Sequence, residues 1–291
     1  MAKILDGKKL SEEILENLKK DYNPSTASSH PPKGGRAPIK KRKLKLRLAV
    51  VQVGENPVSK IFINQKEKAC EKVGIDFKLF KFSTKAKTQK LKKEIGGIIK
   101  NSSNSGVVIQ LPLPKKFLIE EFLNLIPEEK DIDVLSEKSL GKFYQGTLPI
   151  LPPTVSGIFR LLKSYQIKVK GKNVVIVGAG RLIGNPLVLR LLQQEATISV
   201  LNEFTKDTPS FTKKADILIS GVGKPDLITG KMVKKGVVVI DAGTFIKKGR
   251  LVGDVNFKSV SKKASYITPV PGGVGPMTVA CLIENLVKLN L

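Results

Sequence analysis

Residues 173–186 read Asn-Val-Val-Ile-Val-Gly-Ala-Gly-Arg-Leu-Ile-Gly-Asn-Pro. The β-branched run Val174–Val177 is short enough to be a strand buried on both faces. It stops at Gly178, with Gly180 and Gly184 following, and Leu182, Leu187 and Leu191 then suggest a helix. Strand, glycine turn and helix together aim the free N–H groups of a helix N-terminus at a pyrophosphate. The common dinucleotide fingerprint places its glycines at positions one, three and six, whereas the third glycine here falls at position seven. A tight structural βα turn is therefore the competing reading, and the surrounding chain has to decide.

With 291 residues the chain is long enough for a sizeable core and for two domains. No apolar run approaches the length of a membrane span, and the first twenty residues form an amphipathic pattern (Leu10, Ile14, Leu15, Leu18) instead of a signal peptide. Cys70 and Cys281 are too few and too far apart for a disulfide framework or a zinc site. These features predict a soluble cytoplasmic protein with no membrane association. The net charge of +26 invites a nucleic-acid reading, strongest at Lys33–Arg47, which carries no acidic residue. The lysines, however, are spread along the whole chain without interleaved aromatics for base stacking. A solvated lysine-rich surface, able to attract a polyanionic small molecule, explains the charge better. The single histidine, His30, sits in the Ser-, Pro- and Gly-rich stretch Asn23–Pro38. If the protein is an enzyme, lysine or a carboxylate therefore takes the acid–base role.

From the N-terminal side, Leu48–Val53 reads as a strand, followed by a helix with Ser59 as N-cap that ends at Gly74. Phe62 and Lys66 share one face of that helix, where a lysine either snorkels past apolar neighbours or enters a pocket. A second strand around Phe77 and Leu79, a helix over Leu91–Ile99 and a third strand, Val107–Leu111, repeat the strand–helix order of a parallel sheet. Gln110 stands at the carboxyl end of that third strand, where open α/β sheets place ligands. A helix is expected over Phe117–Leu125. In Lys130-Asp131-Ile132-Asp133 the two acids permit a metal site, although no supporting ligand cluster is evident, or a surface loop. Pro152 and Pro153 mark a domain crossing into a helix over Val155–Leu162. Beyond the glycine turn, the strands Thr197–Leu201, Ile217–Ser220 and Val237–Asp241 complete a Rossmann-like order.

The least generic stretch is Thr268-Pro269-Val270-Pro271-Gly272-Gly273-Val274-Gly275-Pro276-Met277-Thr278, a rigid loop before an apolar helix expected over Val279–Leu289. It resembles the signature of the bifunctional methylenetetrahydrofolate dehydrogenase/methenyltetrahydrofolate cyclohydrolase family. The resemblance covers nearly the whole chain: Asp6-Gly7-Lys8, the Ser59–Cys70 helix, Val108–Pro114, Lys130–Asp133, Gly223-Lys224-Pro225, Val239-Ile240-Asp241 and Gly253-Asp254-Val255. The glycine turn likewise resembles a family form, Gly-x-x-x-x-x-Gly-x-Pro, ending at Pro186.

The resemblance implies a two-lobed α/β protein. Residues 1–150, completed by helix 277–291, form an N-terminal catalytic domain; residues 151–276 form a Rossmann-like NAD(P)-binding domain; and folate lies in the cleft between them. It implies oxidation of 5,10-methylenetetrahydrofolate by hydride transfer to NAD(P), then hydrolysis of the methenyl cation to 10-formyltetrahydrofolate, as part of one-carbon metabolism. Lys66 matches the family's proton-transfer lysine, Gln110 the glutamine that orients it, and Asp133 the aspartate that accepts hydrogen bonds from the pterin, which makes a metal unnecessary. Phe62, Pro271, Gly272 and Gly275 match substrate-binding positions. Gly178, Ala179, Gly180, Gly184, Glu203 and Thr244 are assigned to the cofactor. The expected partners are a folate, with or without a polyglutamate tail, and a second copy of the chain in a homodimer through the Rossmann domain.

Four departures from the family pattern matter. Phe62 stands where tyrosine is usual, keeping an aromatic face but losing a hydroxyl, so a dehydrogenase with a weakened cyclohydrolase step is the alternative function. Val134 and Ser136 replace a glycine and a histidine. Pro153 and Val155 interrupt a Pro-Cys-Thr-Pro run, although Thr154 and Gly157 remain. Ala179 and Gly180 replace the arginine and serine that help hold the NADP 2′-phosphate in many members, and Glu203 follows the second Rossmann strand. An acidic group there accepts from a free ribose hydroxyl and repels a phosphate, which favours NAD. The competing reading leaves Glu203 in solvent and gives the phosphate to Arg181 or Lys206. A basic nucleic-acid-binding protein on a Rossmann scaffold is a distant third possibility.

Overall fold

The computed structural model describes residues 2–22 and 45–290. His30, the insertion 23–43 and most of the basic stretch 33–47 lie outside the described residues. The first half runs β1 (Lys3–Ile4), α1 (Gly7–Tyr22), β2 (Arg47–Val53), α2 (Pro57–Val73), β3 (Asp76–Phe82), α3 (Thr88–Lys100), β4 (Gly106–Ile109), α4 (Ile119–Leu123) and α5 (Glu137–Gln145). The second runs α6 (Pro153–Ser164), β5 (Asn173–Val177), α7 (Gly184–Gln193), β6 (Thr197–Leu201), α8 (Thr208–Thr212), β7 (Ile217–Ser220) and β8 (Val238–Asp241). A short hairpin, β9 (Phe245–Lys247) and β10 (Arg250–Val252), then α9 (Phe257–Val260), β11 (Tyr266–Ile267) and α10 (Val274–Lys288) complete it.

Two parallel sheets result. One has the order β3-β2-β4, and the other β1-β11-β8-β7-β5-β6. The apolar runs of β2, β4, β5, β7 and β8 are buried along almost their whole length, as the continuous β-branched patterning requires. The glycine turn therefore follows β5, an interior strand of the larger sheet paired with β7 on one side and the edge strand β6 on the other.

Several boundaries differ from expectation. Asn56, rather than Ser59, caps α2: its side-chain oxygen accepts from the Ser59 N–H at 2.9 Å, and Pro57 occupies the first turn, where its missing N–H costs nothing. Ser59 Oγ instead donates to the Leu111 carbonyl, tying α2 to the loop after β4. The helix expected over 117–125 is only the five residues of α4, because Leu118 is extended and Phe117 turns back to pack edge-to-face on Phe122. Leu182 lies in the turn before α7, exposed, while Leu187 and Leu191 are fully buried. Helix α10 starts at Val274, with Pro276 in its first turn. Residues 3–4 depart from the expected division of the chain: β1 pairs with β11 and so extends the second sheet.

One apolar core runs through both sheets. It contains Leu48, Val50 and Val108 from the first, Val174, Ile176 and Ile219 from the second, and Val279, Leu282, Ile283 and Leu286 of α10 between them. Helix α10 packs on α1, α2 and α6. The α6 contact is close because Gly157 has no side chain: a Cβ there would stand 2.9 Å from Met277 Cβ. Gly157→Val is expected to destabilise the protein by about 1–3 kcal/mol, read as a lower urea midpoint at unchanged slope. Gly141→Ala, on an open stretch of α5 with nothing within 4 Å of the added atom, serves as the control and leaves stability equal or higher.

Candidate active site

A cavity of about 470 Å³ opens where the carboxyl ends of the two sheets come together. Its walls are α2, the loop after β4, the segment around Asp133, the start of α6, the glycine turn, the segment after β8 and the Pro/Gly loop before α10. Phe62, Lys66, Gln110, Asp133, Thr244, Pro271, Gly272 and Gly275 all line it. Every position that the family resemblance assigned to catalysis or substrate thus converges on one space.

Lys66 is the chemical centre. It is only 5% exposed, one helical turn beyond Phe62, so it does not snorkel to solvent. Its Nζ donates to Gln110 Oε1 at 2.8 Å. Gln110 is itself held, its N–H on the Val51 carbonyl and its Nε2 on the Leu111 carbonyl. Burial pushes the Lys66 ammonium below the ordinary lysine range, and the charges of Asp133 and Cys70 oppose that only in part. Burial raises the Asp133 carboxyl, with Lys66 pulling the other way.

The Asp131–Asp133 segment is not the surface loop that its residues permitted. Asp131 is buried and accepts from the backbone N–H groups of Leu135 and Ser136, closing the loop from inside. Val134 takes φ 58 within that loop, and Asp133 faces the cavity. The Ser136 that replaces the family's histidine caps α5 through its hydroxyl.

The Pro/Gly loop is placed by contacts that tolerate no side chain. Gly272 has φ 110, its carbonyl accepts from the Lys8 N–H, and a Cβ on Gly7 would collide with the Gly273 carbonyl. At Gly275 an added Cβ would lie 3.7 Å from Phe62 Cε1, so the loop and the phenyl ring form adjoining walls.

The glycine turn is built to receive a backbone-bound group. Gly178 has φ 109, a Cβ there would stand 2.9 Å from the Gly221 carbonyl, and a Cβ on Gly184 would collide with the Gly178 carbonyl. Ala179 and Gly180 are exposed, and nothing lies within 4 Å of a Cβ on Gly180. The open turn leading into the α7 N-terminus fits a dinucleotide pyrophosphate. Glu203 is exposed just beyond β6, outside the cavity lining. Arg181 reaches away from the second sheet and pairs with Glu120 of α4, across the cleft.

The chain matches the family described as Tetrahydrofolate dehydrogenase/cyclohydrolase, catalytic domain, over residues 5–133, and the NAD(P)-binding domain of the same family over residues 152–290. It belongs to the tetrahydrofolate dehydrogenase/cyclohydrolase family. Among relatives, the Bifunctional protein FolD of Aquifex aeolicus is 46% identical over 289 residues, 99% of this chain and 95% of that protein. The crystal structure of the bifunctional FolD of Campylobacter jejuni superposes with a TM-score of 0.88 at 39% identity, covering 99% of this chain and 98% of that one. A Trypanosoma brucei methylenetetrahydrofolate dehydrogenase-cyclohydrolase, complexed with NADP and an inhibitor, gives 0.87 at 29% identity, covering 99% and 97%.

Beside these family positions, the structure brings in Glu120, which pairs with Arg181, and the buried carboxylates of Asp241 and Asp254, residues to which the sequence gave no role of their own. The two aspartates stood inside recognisable motifs, but apart from Ser220 Oγ on Asp254 their hydrogen-bond donors are backbone groups that leave no sequence signal. The Lys66 environment is directly testable. In protein carrying ¹³C-labelled lysine, the Lys66 signal should titrate below the ordinary lysine range. Asp133→Asn should move it lower still, because that removes a charge stabilising the ammonium.

Proposed function

We propose that the chain carries out two consecutive reactions on one folate in this cleft. It oxidises 5,10-methylenetetrahydrofolate to the 5,10-methenyl compound with NAD(P), then hydrolyses that cation to 10-formyltetrahydrofolate. The observation that carries the reading is the buried Lys66 Nζ, 2.8 Å from Gln110 and facing Asp133, in a cavity shared with the NAD(P)-binding half.

When bound, the nicotinamide supplies the acceptor for the hydride that leaves the one-carbon bridge. The chain's own work in that step is to hold the folate and keep water out. Phe62 offers a ring face for the aminobenzoyl group, Asp133 offers carboxylate oxygens to pterin N–H donors, and Pro271, Gly272 and Gly275 form the opposing wall. In the hydrolytic step water adds to the methenyl carbon and loses one proton, and the bond from that carbon to N5 then breaks, the hydroxyl proton passing to N5 and leaving the 10-formyl group. A buried lysine beside a cationic substrate is held toward its neutral form, so Lys66 Nζ can accept the proton lost by the water while Gln110 Oε1 fixes its direction. Phe62 lacks the hydroxyl usual in the family, and this slows the hydrolytic step without abolishing it. No metal is assigned, since Asp131 is spent on backbone donors and Asp133 on substrate.

The working division is a folate-binding part, 1–150 with helix 277–291, and a cofactor-binding part, 151–276, to which residues 3–4 lend a strand. Glu203, beyond β6, and the Ala179-Gly180 pair favour NAD over NADP. Of the two cations that could serve a 2′-phosphate, Arg181 is engaged by Glu120, which leaves Lys206 alone for that role. A homodimer would use the open β6 edge, where Val200, Leu192, Phe211 and the 82% exposed Phe204 leave apolar surface in water. The folate, with or without its polyglutamate tail, is the small-molecule partner, and neither nucleic acid nor membrane is assigned. Among the described residues no helix is long and apolar enough to cross a membrane, and the cytoplasm is the proposed location.

Both activities are measured directly by following absorbance of the methenyl compound with and without cofactor. Lys66→Met should lower the cyclohydrolase rate by about 10²–10⁴-fold and spare more of the dehydrogenase rate. In the unaltered protein that rate should rise with pH as Lys66 loses its proton, levelling off below the ordinary lysine range. Phe62→Tyr should raise it about two- to tenfold. A cyclohydrolase rate insensitive to both substitutions overturns the assignment. On the cofactor side, kcat/KM should be higher with NAD, and an NADP preference of about tenfold or more overturns that part of the reading.

A further inference from the structure

Asp254 is fully buried at the end of the hairpin β9–β10, outside the lining of the main cavity. Both of its oxygens are saturated. Oδ2 accepts from Ser220 Oγ at 2.8 Å and Val222 N at 2.7 Å, and Oδ1 accepts from Gly223 N and Lys224 N, both at 2.8 Å. Three successive backbone N–H groups curl around one carboxylate, the arrangement that elsewhere binds an anion from solution. Here the chain fills it with its own anion.

Asp254 is in turn fixed by Asp241, whose carboxylate accepts from the N–H groups of Gly243, Asp254 and Val255. Cβ atoms at Gly243 and Gly253 would strike Asp254 and Asp241 respectively, so glycine is required on both sides of the pair. Burial of two neighbouring carboxylates raises Asp241 to about 6 despite its three donors.

The loop held this way, 221–224, contributes nothing to the apolar core: Val222 is 49% exposed. Its inner contacts are with the cofactor-binding turn. Gly221 abuts Gly178 through its carbonyl and Ile183 through its Cα, and Gly223 packs toward the Thr244 carbonyl. A buried charge is expensive unless fully hydrogen-bonded. In this fold that expense is directed at an exposed loop, not at the core.

Resting on the dehydrogenase reading above, we propose that Asp254 is a positioning residue for the nicotinamide cofactor: it shapes the 221–224 loop so that the glycine turn and Thr244 keep their binding geometry. With the N–H groups of residues 222–224 spent on Asp254, they are not free to bind an anion, which leaves the pyrophosphate to the glycine turn.

The test compares NADH binding, followed by its fluorescence, with cyclohydrolase activity measured without any nucleotide. Asp254→Asn sets an amide N–H₂ against two donors and should weaken NADH binding by about tenfold or more, with cyclohydrolase activity within about twofold of the parent. Ser220→Ala, which deletes one donor and leaves the carboxylate in place, should weaken NADH binding by about threefold with the same preserved hydrolysis, and it decides the matter if the first variant does not fold. Unchanged NADH affinity, or a parallel loss of both functions, overturns the proposal. Failure of the parent protein to bind NADH would instead overturn the dehydrogenase reading on which it rests.

Discussion

Two parallel sheets each have an apolar face to cover, and in this protein the same core covers both. Helix α10 lies within it, buried along Val279, Leu282, Ile283 and Leu286, and it brings the Pro/Gly loop at its own N-terminus to the carboxyl edges of both sheets. Strand–helix connections place functional loops at those edges. Once α10 fixes how the sheets meet, the loops face each other across a cavity. Small residues let the joints close: Gly157 under Met277, Gly106 under Leu286, and Gly7 under the Gly273 carbonyl.

Electrostatics then separates the two halves of the cleft. On the first sheet's side a cation is desolvated and steered by an uncharged amide acceptor, which biases Lys66 toward accepting a proton. On the second sheet's side the buried charges are negative and tied to backbone N–H groups, so they organise loops and present no reactive group. Under the proposed function, proton transfer and nucleotide placement fall to different walls of one space.

How much of this was legible in the sequence follows from the range of each interaction. The strand Asn173–Val177, the glycine turn and the alternation of strands with helices could be read because β-branched runs and glycines act locally. Asn56 was passed over as a cap in favour of Ser59, although Asn-Pro before a helix is itself a start signal. Two-residue β1 and the β9–β10 hairpin escaped for lack of length. The hairpin also turns through Lys248-Gly249, both at positive φ, in place of the usual Asn-Gly. At the site, the resemblance to a family singled out Lys66, Gln110 and Asp133; residue patterns alone left Lys66 between snorkel and pocket. The pairing of Arg181 with Glu120, and the backbone ligands of Asp254, depend on how distant segments meet and have no local signature.

Strand β1 and helix α10 cross between the halves of the molecule: the early strand extends the second sheet, and the late helix packs on α1 and α2 beside the first. Each half therefore carries a piece of chain drawn from the far side of the other. A single genetic crossover between two members of such a family cannot exchange one half intact, since it always separates one of these pieces from its packing partners. Exchange of a cofactor-binding half alone takes two crossovers, one before α6 and one before α10, and leaves β1 to be matched to a new edge. The covalent path thus couples the evolution of the halves in a way that their separate chemistries do not require.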